Sequence, residues 1–157
     1  MQAQFIEPFI RATFTVLSQV VDASPERGQL TLQDGNTFTS QELTTVLGVS
    51  GHIEGVALYG MSQITALKIA SQMLGENVRE IDEIASSALT ELANMITGNA
   101  TIHLETAGFQ CDITPPSMIR GSGIQVTTLC PALLVPVSTQ FGKIDINVAL
   151  RELRKAA

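Results

Sequence analysis

Residues Asp82 to Asn99, DEIASSALTELANMITGN, decide how this chain reads. At about 100° per residue the spacing predicts an amphipathic helix. Ile81, Ile84, Ala85, Ala88, Leu89, Leu92, Met95 and Ile96 fall on one side, and Glu83, Ser87, Thr90, Glu91, Asn94 and Gly98 on the other. The first set is expected to be core and the second to face outward. Residues three apart on a helix are surface neighbours, so the Glu91 carboxylate and the Asn94 carboxamide point the same way and suit a single shared partner. Gly98 lies one turn after Asn94 on that face, where glycine costs about 1 kcal/mol relative to alanine. Two explanations stand side by side. Either Gly98 leaves a bare spot for another protein's backbone, or it marks a weakening helix with Asn99 behind it.

Working outward, Ser62 is a cap for a helix over Gln63–Leu74 that closes at Gly75, and only a short polar link separates it from a long helix running from about Glu80 to His103. Upstream, residues 2–22 form a helix whose stripe is Phe5, Phe9, Phe14, Leu17 and Val21, stopped by Ser24-Pro25. Strands are expected at Gln29–Gln33 before Asp34-Gly35, then at Leu43–Val49 and His52–Tyr59 as a hairpin around Ser50-Gly51. The last third reads as strands Phe109–Ile113, Gly123–Cys130, Leu133–Thr139 and Lys143–Ala149, with turns at Pro115-Pro116, Gly121-Ser122-Gly123 and Phe141-Gly142. Pro131 and Pro136 cannot donate to a ladder, so an edge or bulge is expected around residues 131–136. Helix, strands, two helices, strands is not the alternation of a doubly wound fold. It predicts an α+β, two-layer domain, a mostly antiparallel sheet with long helices on one face. The expected organisation is one domain over residues 1–150 followed by a charged tail, 151–157, that frays.

Composition bounds the function. A chain of 157 residues fits one domain, and 45% hydrophobic against 15% charged content argues for a real core. The formal net charge is -6, and no Lys/Arg cluster is present to follow a phosphate backbone, which argues against nucleic acid. Glu7 and Arg11 interrupt the apolar N-terminal stretch and no basic region precedes it. Neither a secretory signal nor a membrane span is expected, and the expected location is the cytoplasm. The two cysteines, Cys111 and Cys130, fall in strand-like segments and are expected to be buried free thiols with no role.

Several chemistries lack their residues. Gly121-Ser122-Gly123 has neither the third glycine nor the following helix of a phosphate loop. His52 and His103 stand apart from any zinc-ligand spacing, and no HExxH or GxSxG occurs. Asn99-Ala100-Thr101 matches a glycosylation sequon, but on a helix it reads as chance. What remains for catalysis is a carboxylate and an amide. An amide is no general base, yet its oxygen accepts a hydrogen bond from water and its NH2 donates to an oxyanion, which suffices to position a nucleophilic water. Glutamine does this in GTPases.

The segment Glu91-Leu92-Ala93-Asn94-Met95-Ile96-Thr97-Gly98-Asn99-Ala100 resembles the active helix of the CheC/CheX/FliY family of chemotaxis phosphatases: Glu, two residues, Asn, then Gly. Ser87 stands where that family has an Asp or Ser four residues before the Glu, and Pro115 or Pro116 matches its later proline. The resemblance extends over nearly the whole layout. CheC-type members carry a second ExxN on the first helix, whereas here Glu7 is followed by Ile10, so the single-site CheX-like branch matches better. The resemblance implies a CheC-like fold that forms a homodimer through its sheets. It implies a phosphorylated CheY-like receiver as substrate, with Mg2+ held by the receiver and no cofactor on this chain. It further implies that Asn94 aligns the attacking water, that Glu91 pairs with the receiver's phosphate-contacting lysine, and that Ser87 and Gly98 support the site or touch the partner. The alternative reading is a catalytically idle receiver-binding or flagellar-switch-like module on the same fold.

Overall fold

The computed structural model describes residues 3–33 and 35–153. A 3-10 turn, Ala3–Phe5, leads into helix α1, Glu7–Val21, which ends where Asp22 turns left-handed at φ 53°. Two short strands follow, β1 Glu26–Arg27 and β2 Thr31–Leu32, then β3 Thr37–Thr39 and the long hairpin β4 Leu43–Gly51 and β5 Ile53–Met61. Helices α2, Gln63–Leu74, and α3, Glu83–Thr106, come next. The chain closes with β6 Cys111–Ile113, β7 Ser117–Arg120, β8 Gln125–Thr127, β9 Leu133–Thr139 and β10 Gly142–Glu152. The expected turn residue Asp34, the helix residue Gln2 and the tail residues 154–157 lie outside the described residues.

The main sheet has the order β1-β9-β10-β5-β4-β6, with β2 also on β9 and β7 also on β4, and its ladders are antiparallel. Its centre is β10 against β5, in register from Ile144 opposite Met61 to Glu152 opposite Ile53. Side chains alternate across a strand, so Ile144, Ile146, Val148 and Leu150 all turn to one face and are buried there with Leu43, Leu47 and Val49 of β4. On that core lie α1 and α3, with α2 beside α3. This is the expected two-layer α+β arrangement. On the opposite face, β3 and β8 pair as a separate small sheet.

Local chemistry sets the helix ends. The Ser62 hydroxyl accepts from the Thr65 N–H at 3.2 Å, and Gly75 takes φ 68°, so α2 begins and ends where the sequence places it. In α3 the Asp82 carboxylate accepts from the Ala85 N–H at 2.8 Å. That cap moves the start from the expected Glu80 to Glu83. The far end extends past the expected His103 to Thr106, with Phe109 N–H donating to the Leu104 carbonyl at 2.9 Å and the Phe109 ring packing edge-on against Phe5 at 5.1 Å.

Several expectations are corrected. Ile84 and Met95 were expected in the core, but they are 64% and 39% exposed. The buried arc of α3 is instead Ala85, Leu89, Leu92, Ala93, Ile96, Thr97, Ala100 and Leu104. Packing against α1 as well as the sheet selects an arc rich in small residues, turned about the axis from the one that hydrophobicity alone picks out. The turn at Pro115-Pro116 interrupts an edge: β6 and β7 both pair with β4, and between them the Thr114 N–H donates to Gly48 while its hydroxyl accepts from Gly48. Beside Pro136 the outer neighbour of β9 is likewise split into β1 and β2, with only the Gly28 N–H reaching the Pro136 carbonyl, at 2.6 Å. The strand expected over Gly123–Cys130 shrinks to Gln125–Thr127, which leaves Cys130 in a bend, and both cysteines are free and half-buried. The expected tail boundary at Arg151 falls inside β10, where Arg151 pairs with Glu54 at 2.7 Å.

Candidate functional site

Helix α3 is held in rotation by a buried hydrogen-bonded step. The Thr97 hydroxyl donates to the Ala93 carbonyl at 2.8 Å, so its oxygen receives the Tyr59 hydroxyl proton across 2.8 Å from β5. Burial pushes the Tyr59 phenol well above its ordinary range. With Thr97 fixed inward, Glu91 lies exposed on the outer face, and Asn94 is half-buried at its shoulder. Among the described residues neither side chain makes a hydrogen bond or ion pair, so carboxylate and carboxamide are both free for an external partner.

Ser87 is exposed one turn before Glu91, and its carbonyl accepts from the Thr90 hydroxyl at 3.1 Å. Gly98 is half-buried one turn after Asn94. The helix runs on to Thr106, so Gly98 is an interior glycine and not the sign of a fading end. A Cβ built on it meets no atom within 4 Å, which leaves open space above the backbone there. The four candidate residues therefore share one side of one rigid helix. Both β6 and β7, which flank Pro115 and Pro116, pack against α3. Sequence reasoning missed the apolar side of this face. By apolarity alone Ile84 and Met95 belong inward, and Ile102, three turns beyond Glu91, falls outside the predicted stripe.

The site is a surface. A cavity of about 690 Å³ between the end of α2, Val78 and Phe141 includes none of the four residues. An open helix face suits a macromolecule better than a small ligand, which would be enclosed. No group of three or more His, Cys, Asp or Glu side chains converges among the described residues. His52 is occupied at the sheet end, its Nδ1 accepting from the Gln110 N–H at 3.1 Å. Burial, Asp112 and Glu105 push the Cys111 thiol upward, away from the thiolate that a nucleophile requires. Asn99, the sequon residue, sits within α3 with its Oδ1 buried. No described helix is long and apolar enough to cross a membrane.

These features define a class: a two-layer α+β domain whose exposed helix carries an unpaired carboxylate and carboxamide on an open face. Comparison with known proteins makes the class specific. A family profile described as chemotaxis phosphatase CheX matches residues 43–138. The CheY-P phosphatase CheX of Thermotoga maritima is 32% identical over 151 residues, covering 96% of both chains. The crystal structure of a chemotaxis protein CheX from Desulfovibrio desulfuricans superposes with a TM-score of 0.85 at 27% identity, over 94% of this chain and 99% of that one. A CheX–CheY–BeF3–Mg2+ complex from Borrelia burgdorferi gives a TM-score of 0.77 at 31% identity, over 96% and 100%. The chain belongs to the CheX family of chemotaxis phosphatases.

Proposed function

We propose that this protein hydrolyses the aspartyl phosphate of a CheY-like receiver domain in chemotaxis or a related two-component pathway, with Glu91 and Asn94 as its catalytic pair. The observation that carries the reading is the unpartnered Glu91 and Asn94 on the outer face of α3, in a chain 32% identical to a CheY-P phosphatase over nearly its full length. The chemistry asks little of the protein. Water attacks phosphorus, the P–O bond to the receiver aspartate breaks, and inorganic phosphate and a carboxylate result. A carboxylate leaving group, of ordinary pKa about 3.9, departs without being protonated. The remaining barrier is largely one of placing water in line, and an oriented amide supplies that.

Asn94 accepts a hydrogen bond from this water through Oδ1 and steadies a phosphoryl oxygen through its NH2. Glu91 pairs with the receiver's phosphate-contacting lysine, an interaction that strengthens as docking excludes water and that fixes the register of Asn94. Mg2+ belongs to the receiver, and the complex from Borrelia burgdorferi contains CheY and Mg2+ together. Ser87 supports the site and Gly98 admits the receiver backbone. The same reading includes a single CheX-like domain that runs through the end of β10, a homodimer through the sheet and a cytoplasmic location.

The test is the decay of phosphorylated CheY-like receivers with substoichiometric protein. Acceleration is expected from the wild type and its loss from Asn94→Ala, with the fold intact by circular dichroism. Full activity in Asn94→Ala would sink the assigned mechanism. Tight receiver binding without turnover would favour the idle binding module.

A further inference from the structure

We propose that Ile84, Met95 and Ile102 form an apolar docking strip that determines which receiver this protein accepts, set beside the catalytic pair on the same face of α3. This inference rests on the phosphatase reading above and names how that site selects its substrate. Seen down the axis at 100° per residue, Ile84 and Ile102 lie nearly in line with Glu91, with Met95 just to one side. Ser87, Asn94 and Gly98 fall on the other side. The face is thus divided lengthwise, with the hydrogen-bonding groups along one edge and apolar side chains along the other.

Ile102 is 62% exposed, as fully as Ile84, and neither belongs to the core that α3 shares with α1 and the sheet. Single exposed apolar residues are ordinary on a protein surface, but three aligned over about 27 Å of one helix face, at 1.5 Å per residue, form an interrupted apolar line on either side of Glu91. The occupant is the receiver itself, because Ile84 and Ile102 flank Glu91 in nearly the same line down the helix, within the span of a protein-sized interface seated on Glu91 and Asn94. The partner chemistry it fits is an apolar patch flanking the receiver's acyl-phosphate pocket. Buried apolar contacts beside a central polar pair carry affinity and exclude water from that pair.

Distance separates the strip from the reaction. Along the helix Ile84 is roughly 10 Å from Glu91 and Ile102 roughly 16 Å. Neither side chain reaches a phosphoryl group held at the pair, so their contribution appears in binding and not in the chemical step.

Ile84→Ala, Ile102→Ala and the double variant test this. Both sites are exposed and helical, and alanine is the better helix former, so folding is retained; a thermal melt checks it. The assay uses a phosphorylated CheY-like receiver with Mg2+, chosen as one that the wild type dephosphorylates. Expected is a rise in KM of about fivefold for each single variant and more for the double, with kcat at saturation within twofold. The same weakening is expected in the Kd for that receiver when the changes are placed on Asn94→Ala. Unchanged KM and Kd in the double variant, with wild-type turnover intact, overturn the strip and leave the phosphatase reading standing. Lowered kcat at unchanged KM overturns it as well, by placing the isoleucines in the chemistry. A wild type that accelerates no receiver overturns the phosphatase reading, and the strip with it.

Discussion

Gly98→Ala should pull stability and activity in opposite directions. Gly98 is interior to α3, its φ is negative, and no atom lies within 4 Å of an added Cβ. In the free protein alanine therefore fits without strain. It removes glycine's helix penalty, about 0.8–1.0 kcal/mol, largely by narrowing the unfolded ensemble. In a chain of 157 residues a gain of that size raises Tm by about 2–4 °C. The docked complex differs. If the receiver backbone occupies the space above Gly98, the new methyl intrudes on a packed contact, and overpacking of that kind costs about 1–3 kcal/mol. That corresponds to a loss of about 5- to 150-fold in kcat/KM. Thermal melts and receiver-phosphate decay on the same preparation read both effects. A raised Tm with unchanged kcat/KM would refute the role of Gly98 as a place of close approach. A lowered Tm would refute the claim that the space around it is free.

The step from β5 to α3 makes an ordered pair of predictions in urea unfolding. Tyr59→Phe leaves the Thr97 hydroxyl bonded to Ala93 and should cost about 1 kcal/mol, whereas Thr97→Val strands the buried Tyr59 hydroxyl and should cost more, about 1–3 kcal/mol; the reverse order would show that the donor runs the other way. Tyr59 also makes stability depend on alkaline pH. Its folded pKa lies above the ordinary 10.0, so the folded state keeps a proton that the unfolded state loses. Stability is full below pH 10 and falls as pH rises beyond it, by up to about 1.4 kcal/mol per unit. Tyr59 is the chain's one tyrosine, so tyrosinate absorbance should appear only as the protein unfolds, and Tyr59→Phe should flatten the slope; tyrosinate forming in the still-folded protein near pH 10 would contradict this. Asp82→Ala removes the α3 cap and should lower stability by about 1 kcal/mol, with Asp82→Asn close to wild type; an equal loss in both would point to the charge of Asp82 instead of its hydrogen bond.

The elements that sequence predicts well are those whose limits depend on residues inside them. Ser62 and Gly75 bracket α2 by their own hydrogen bond and φ, and the alternation Ile144, Ile146, Val148, Leu150 requires a strand with one buried face whatever surrounds it. Elements that depend on a distant partner escape. β7 exists because Leu43–Val46 offers it an edge, and β3 because β8 lies opposite, and neither fact is written in their few residues. The rotation of α3 belongs to a third kind. A helical wheel ranks residues by apolarity, and on that measure Ile84 and Met95 outrank Ala93, Thr97 and Ala100. In the folded chain the small residues go inward because α1 and the sheet come close, and Thr97 goes with them because Tyr59 offers its hydroxyl a partner. The large apolar residues remain outside. Local rules and the global fold tend to disagree where function intervenes. On α3 they disagree beside Glu91, where Ile84 and Met95 stay exposed along the face that we propose the receiver covers.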